Sequence, residues 1–167
     1  MRRGTIALLA VCGLLAAASA NAKAPEAVLL PSGRAVAPAS APPAVKEMIQ
    51  AANHIRHRPY RWGGGHRSWR SRGYDCSGSV SYVMHAAGLL DSPLDSTGFI
   101  HWGEGGAGQW LRIYANHEHV FAVIAGLRWD TSMTTEGDGH GPGWSEEMRS
   151  TGGFRLRHPL GLLHASS

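Results

Sequence analysis

Asp75-Cys76-Ser77-Gly78-Ser79-Val80-Ser81-Tyr82-Val83-Met84-His85-Ala86-Ala87-Gly88 decides how the rest of the chain is read. Val80, Val83, Met84 and Ala87 recur at three- and four-residue steps, the spacing of one helix face. Asp75 is a capping residue ahead of that run, Ser77 or Ser79 can satisfy further free amides, and Gly88 is a natural stop. The stretch predicts a helix that opens at Asp75 or Cys76 and carries a thiol in its first turn. Unpaired amides and the helix dipole stabilise a thiolate there, below the pKa of a free cysteine. The plainer alternative is a small buried apolar residue.

Working upstream, Pro59-Tyr60-Arg61-Trp62-Gly63-Gly64-Gly65 is a loop that must bend sharply, because three consecutive glycines destabilise either regular structure. Before it, Val45, Met48, Ile49, Ala52 and Ile55 mark a first amphipathic helix, with Pro43 ahead of its start and Pro59 beyond its end. His54 and His57 lie one turn apart; a solvated helix end is the plainer reading, a shared metal the sharper one. Residues 23–43 are rich in Ala and Pro and keep no helical or strand period, so they read as a linker. Residues 1–22 read as a secretory signal. Arg2 and Arg3 supply the positive start, Ile6 to Ala18 is too short to span a bilayer, and Ala20-Asn21-Ala22 offers a cleavage site. An uncleaved anchor and a lipid site at Cys12 are the alternatives, the latter weakened by Val11 before it.

Downstream of Gly88, a loop is expected over Asp91 to Gly98. Short apolar runs follow at Trp110 to Tyr114, His119 to Ala125, Leu127 to Thr131 and Phe154 to Arg157, separated by turn residues. Gly137 to Gly143 reads as a mobile loop. Helices first and strands later predict an α+β domain with an antiparallel sheet over residues 44–167.

The chain has 167 residues, 43% hydrophobic and 17% charged, which suits one domain with a real core and excludes disordered or collagen-like classes. Its formal charge of +4 falls to +2 without Arg2 and Arg3, which gives no reason to expect a nucleic-acid partner. Of two cysteines, Cys12 leaves with the signal, so Cys76 would remain as a lone thiol in an oxidising compartment.

A catalytic thiolate needs a proton partner. His119 opens the run His-Val-Phe-Ala-Val-Ile-Ala-Gly, so its ring can point from the strand edge toward a helix terminus; His117 is the alternative base. The tight turn at Gly126 pairs that strand with Leu127-Arg128-Trp129-Asp130-Thr131, which brings Asp130 near His119 to fix its tautomer.

Three stretches together resemble the NlpC/P60 cell-wall peptidases, a branch of the papain-like cysteine hydrolases. They are Pro59-Tyr60-Arg61-Trp62-Gly63-Gly64, Asp75-Cys76-Ser77-Gly78-Ser79-Val80, and the strand from His119 to Gly126. The resemblance implies a papain-like domain with N-terminal helices on an antiparallel sheet. It maps the nucleophile onto Cys76, the base onto His119, the third polar residue onto Asp130 and an active-site tyrosine onto Tyr60. Asp75, Ser77 and Arg61 join Tyr60 as oxyanion or substrate-binding candidates. It further implies hydrolysis of peptidoglycan stem peptides, typically at the γ-D-glutamyl–diamino acid bond, by a secreted, periplasmic or wall-bound monomer that uses no cofactor or metal. Two departures stand out: such proteins usually carry His, Asn or Gln where this chain has Asp130, and the Gly-Ile-Tyr that commonly follows His-Val is missing. The arginines of the glycine loop (Arg61, Arg67, Arg70, Arg72) suit carboxylate-rich peptides or form a solvated basic surface. Trp102, Trp110 and Trp144 line a sugar or peptide groove, or pack in the core. A zinc site from His117, His119 and His140 lacks ligand spacing. Alternatives are a non-catalytic envelope-binding module of the same fold, and an amidase or acyltransferase on another amide or ester.

Overall fold

Two helices set side by side carry the helical half of the molecule in this computed structural model, which describes residues 25–132 and 141–162. Helix α1 (Pro43–Ile55) buries Val45, Met48, Ile49, Ala52 and Ile55, the stripe expected from its spacing. Its cap is Pro42, so Pro43 is its first residue rather than a flank; a proline is tolerated there because the first-turn amide has no helical partner anyway. Helix α2 (Cys76–Ala86) buries Val80, Val83 and Met84 against α1 and closes at Gly88, whose φ of +69° is a left-handed conformation that suits glycine.

The sheet follows. Strands β3 (Glu104–Gly105), β4 (Leu111–Ala115), β5 (Val120–Ile124), β6 (Leu127–Asp130), β7 (Gly143–Ser145) and β8 (Arg155–His158) pair throughout in antiparallel fashion, in the order β3-β8-β4-β5-β6-β7. Every residue of β5 is buried, as befits a central strand. Val120, Ala122 and Ile124 join the core beneath the helices. On the opposite face Phe121 is covered by Tyr114, stacked at 4.7 Å, and by Phe154 at 5.3 Å. Ala125 (φ 47°) and Gly126 (φ 88°) both lie in the left-handed region and turn β5 directly into β6, so that Ile124 pairs with Leu127.

Residues 25–42 depart from the linker reading. They form a hairpin of β1 (Val28–Leu29) and β2 (Ala35–Val36) that lies on the domain. Ala27, Ala35 and Ala41 enter the core, and the Ala27 amide donates to the Ala125 carbonyl at 2.7 Å. Buried Asn53 of α1 clamps β2: its Oδ1 accepts from the Ala35 amide at 2.9 Å and its Nδ2 donates to the Ala35 carbonyl at 2.8 Å. Small side chains that keep no period still dock when a buried amide offers them both a donor and an acceptor. The signal reading of residues 1–22 lies outside the described residues, as do most of the 137–143 loop and His140.

Short elements were not legible. Helix α3 (Ser96–His101), capped by Asp95 accepting from Gly98 at 2.7 Å, begins inside the segment expected to be loop. β3 and β7 are two and three residues long and exist only as partners of β8 and β6.

Candidate active site

The amino end of α2 is built by backbone contact before any side chain reacts. A side chain at Gly78 would run into the Gly64 carbonyl, and one at Gly65 would put its Cβ 2.9 Å from the Gly78 Cα. The glycine loop therefore lies flat on the first turn of α2, with the Asp75 amide donating to the Gly64 carbonyl at 3.2 Å. Asp75 is buried beneath this junction. Its carboxylate accepts from the Gly78 amide at 2.7 Å, the Gly63 amide at 2.9 Å and the Ser77 hydroxyl at 3.2 Å. His66 Nε2 sits 3.0 Å from the same carboxylate and 3.1 Å from Ser77 Oγ. Asp75 and Ser77 are thus tied into the support of the helix start rather than set out in a groove.

Cys76, freed from that bonding, presents its sulfur to the sheet. Burial pushes the thiol up, but the His119 ring, the Val120 amide and the Ser96 hydroxyl all favour the thiolate and bring it below its ordinary value. Ser96 Oγ, at the start of α3, is 3.7 Å from Sγ. His119 stands one residue before β5, and Asn116 fixes its backbone by accepting its amide at 2.8 Å. Its Nε2 pairs with Asp130 Oδ1 at 2.8 Å, which leaves Nδ1 for the sulfur. Burial disfavours the charged ring, yet the bond to Asp130 and the contact with Cys76 outweigh it and push His119 up to about 9. Asp130 responds in the opposite sense. Burial raises it, while His119 and the amide and hydroxyl of Ser132 lower it to about 2. Near neutral pH His119 is therefore an imidazolium and Asp130 a carboxylate, and the imidazolium biases Cys76 toward its thiolate.

Tyr60 lies near enough to Cys76 for its phenol to feel the charge of the thiolate. A parallel bridge between Tyr60 and Tyr74 sets this segment alongside the residues leading into Cys76. Partial burial, then the negative charges of Cys76 and Asp75, raise the phenol, so it remains a hydroxyl donor at neutral pH. Arg61 is exposed, with its stem lying along Gly73. The structure thus brings Cys76, His119, Asp130 and Tyr60 together. His117 is exposed, with Nδ1 3.5 Å from Thr97 Oγ1, and does not take the place of His119. Trp110 and Trp144 are core residues, Trp144 packing on Trp129 at 5.0 Å and donating to Asn53. Among the described residues no group of three His, Cys, Asp or Glu side chains is placed to hold a metal.

Two site residues escaped the sequence. Ser96 belongs to the unexpected helix α3. Arg149 donates from one guanidinium nitrogen to Asp130 Oδ2 at 3.1 Å and to Ser132 Oγ at 2.9 Å, and its guanidinium carbon lies 5.5 Å and 5.6 Å from the ring centres of Phe121 and Phe154. It holds the carboxylate oxygen that His119 does not use. Nineteen residues separate Arg149 from Asp130, and no local pattern links them.

No protein-family model matches this sequence, and neither does any curated protein. Solved structures do match. The peptidoglycan hydrolase RipB of Mycobacterium tuberculosis aligns with a TM-score of 0.53 at 22% identity over 69% of this chain and 64% of that one. This chain has the NlpC/P60 fold. RipD of M. tuberculosis, described as a non-catalytic NlpC/P60 domain protein adapted to peptidoglycan binding, aligns at 0.52 with 21% identity over 70% of this chain and 98% of its own. The P60 domain of an M. avium paratuberculosis antigen aligns at 0.51 with 20% identity, covering 70% and 93%. The chain spans just under two thirds of RipB, and identities at this level establish the NlpC/P60 architecture alone. The same architecture serves a hydrolase and a non-catalytic protein, so function rests on the site.

Proposed function

We propose that this protein is a cysteine hydrolase of peptidoglycan stem peptides, working through Cys76, His119 and Asp130. The observation that carries the reading is the His119 ring, held by Asp130 through Nε2 and facing the Cys76 sulfur with its other nitrogen. A binding module needs no such charge relay among buried groups, whose desolvation has to be offset by pairing. The Cys76 thiolate attacks the amide carbonyl. The oxyanion is met by the Cys76 amide, which no helical carbonyl can reach, and by the Tyr60 hydroxyl. His119 gives its proton to the departing amine as the C–N bond breaks. Neutral His119 then takes a proton from water, whose hydroxide cleaves the thioester and regenerates the thiolate–imidazolium pair.

The substrate part of the proposal is cleavage between γ-D-glutamate and the diamino acid, by a protein that is exported through residues 1–22 and acts in the periplasm or the wall. No helix among the described residues is long and apolar enough to cross a membrane. Mass spectrometry of defined muropeptides tests turnover and bond together. Fragments split at that bond by the wild type and not by Cys76→Ala support the reading. Sedimentation with sacculi and no fragments after long incubation would establish the binding module instead, and cleavage only of another amide or ester would move the activity to the amidase or acyltransferase class.

A further inference from the structure

The fully buried Asp130 carboxylate answers to two cations. Oδ1 accepts from His119 Nε2 at 2.8 Å and from the Ser132 amide at 3.1 Å, and Oδ2 accepts from Arg149 at 3.1 Å. Arg149 lies on the segment between β7 and β8, where three contacts fix its guanidinium. One nitrogen also donates to Ser132 Oγ at 2.9 Å, and the central carbon stands 5.5 Å from the Phe121 ring centre and 5.6 Å from that of Phe154. Phe154 in turn meets Phe121 edge-on at 5.3 Å and the His119 ring edge-on at 6.4 Å, so Arg149 and His119 belong to one packed cluster. Arg128 of β6 faces the same Oδ2, but from 4.0 Å, beyond hydrogen-bond reach. Cys76 of α2 is the second anion that acts on the ring, and Tyr60 meets that sulfur's charge with a neutral phenol. Glu118, Glu146 and Glu147, the acidic residues nearest His119 and Arg149 along the chain, are exposed to solvent.

We infer, on the acyl-transfer reading above, that Arg149 is a positioning residue for the second half of the reaction: by sharing the Asp130 carboxylate it lets His119 be neutral when water has to be activated. Two anions hold a proton on the ring, Asp130 and the Cys76 thiolate. Acylation removes one of them, because a thioester sulfur carries no charge. The amine leaves with the ring's proton, and the ring must then stay neutral until it takes a proton from water. As it does so, the water oxygen bonds to the thioester carbon and the C–S bond breaks, leaving its electron pair on sulfur. A buried carboxylate facing the ring alone would draw a proton back from solvent, and a cation on its far oxygen offsets part of that pull. Loss of Arg149 and loss of Asp130 therefore move the ring in opposite directions, which a purely structural arginine does not predict.

The test titrates the His119 ring by NMR in the full chain after iodoacetamide has capped Cys76 as an uncharged thioether, the charge state of the acyl-enzyme. Arg149→Gln should raise the ring's proton affinity about threefold, mid-range for an ion pair partly open to solvent. Arg149→Lys keeps the charge and should restore the wild-type titration. Arg149→Met keeps an unbranched stem beside Phe121 and Phe154 and should give the same rise as Arg149→Gln, which covers a failure of the latter to fold. A ring unmoved or lowered by loss of the charge, or raised as far by Arg149→Lys, would overturn the inference. Muropeptide turnover by the uncapped wild type is scored separately. Turnover together with an unmoved ring keeps the hydrolase and removes this role of Arg149, whereas a raised ring with no turnover keeps the charge sharing at Asp130 and removes the hydrolase.

Discussion

Two histidine–aspartate pairs flank the start of α2, and on distance alone they are hard to tell apart. His66 Nε2 lies 3.0 Å from Asp75 Oδ1, and His119 Nε2 lies 2.8 Å from Asp130 Oδ1. What separates them is where the remaining bonding capacity goes. Asp75 spends its other lone pairs on the amides of Gly63 and Gly78, and the one His66 nitrogen serves both Asp75 and Ser77, so that pair ends in local backbone. Asp130 is held from behind by Arg149 and Ser132, and its histidine faces a sulfur. A short histidine–carboxylate contact is chemistry only when its outer end reaches a reactive atom; otherwise it is scaffolding.

The sharpest way to break that distinction is at the reactive end. Cys76→Ala or His119→Ala should each lower muropeptide turnover by roughly a thousandfold or more, with circular dichroism unchanged. Retained turnover in either would show that the second pair is scaffolding too. Next in size, Asp130→Asn should cost about a hundredfold in kcat. Asp130 is what holds His119 up at about 9, so its loss lets the imidazolium deprotonate at lower pH. The alkaline limb of the pH–rate profile should therefore move toward acid, and an unmoved limb would contradict the assigned pairing.

The first pair should answer in stability instead. Asp75→Ala removes the acceptor of the Gly78 amide at the helix start and of the Gly63 amide in the glycine loop, and urea unfolding should show a loss of about 2–4 kcal/mol. The smallest effect is expected from His66→Gln, which keeps a donor near Asp75: under about 1 kcal/mol in unfolding and no displacement of the pH–rate profile. A displaced profile would mean that the two pairs communicate.

How far each pair could be read from sequence follows the same division. Asp75, Cys76, His119 and Asp130 sit in local patterns, a capped amphipathic helix and two strands joined by a tight turn, and these patterns survive into the structure. His66, Ser96 and Arg149 reach their partners across 9, 20 and 19 residues through loops or short elements without periodicity. The Asn53 clamp on the β1–β2 hairpin is of the same kind, since a lone asparagine among the buried positions of α1 signals a partner without naming it. Strands β3 and β7 are too short to carry a pattern at all.

The most direct measurement is the rate at which iodoacetamide alkylates Cys76, followed from pH 4 to pH 10 in the wild type and in His119→Ala. Because only the thiolate reacts, the wild type should stay fast well below pH 7, and the variant should lose that acid-side reactivity and rise only as an ordinary thiol ionises. Superimposed curves, both rising where a free cysteine does, would show that Cys76 carries no imidazolium-stabilised thiolate.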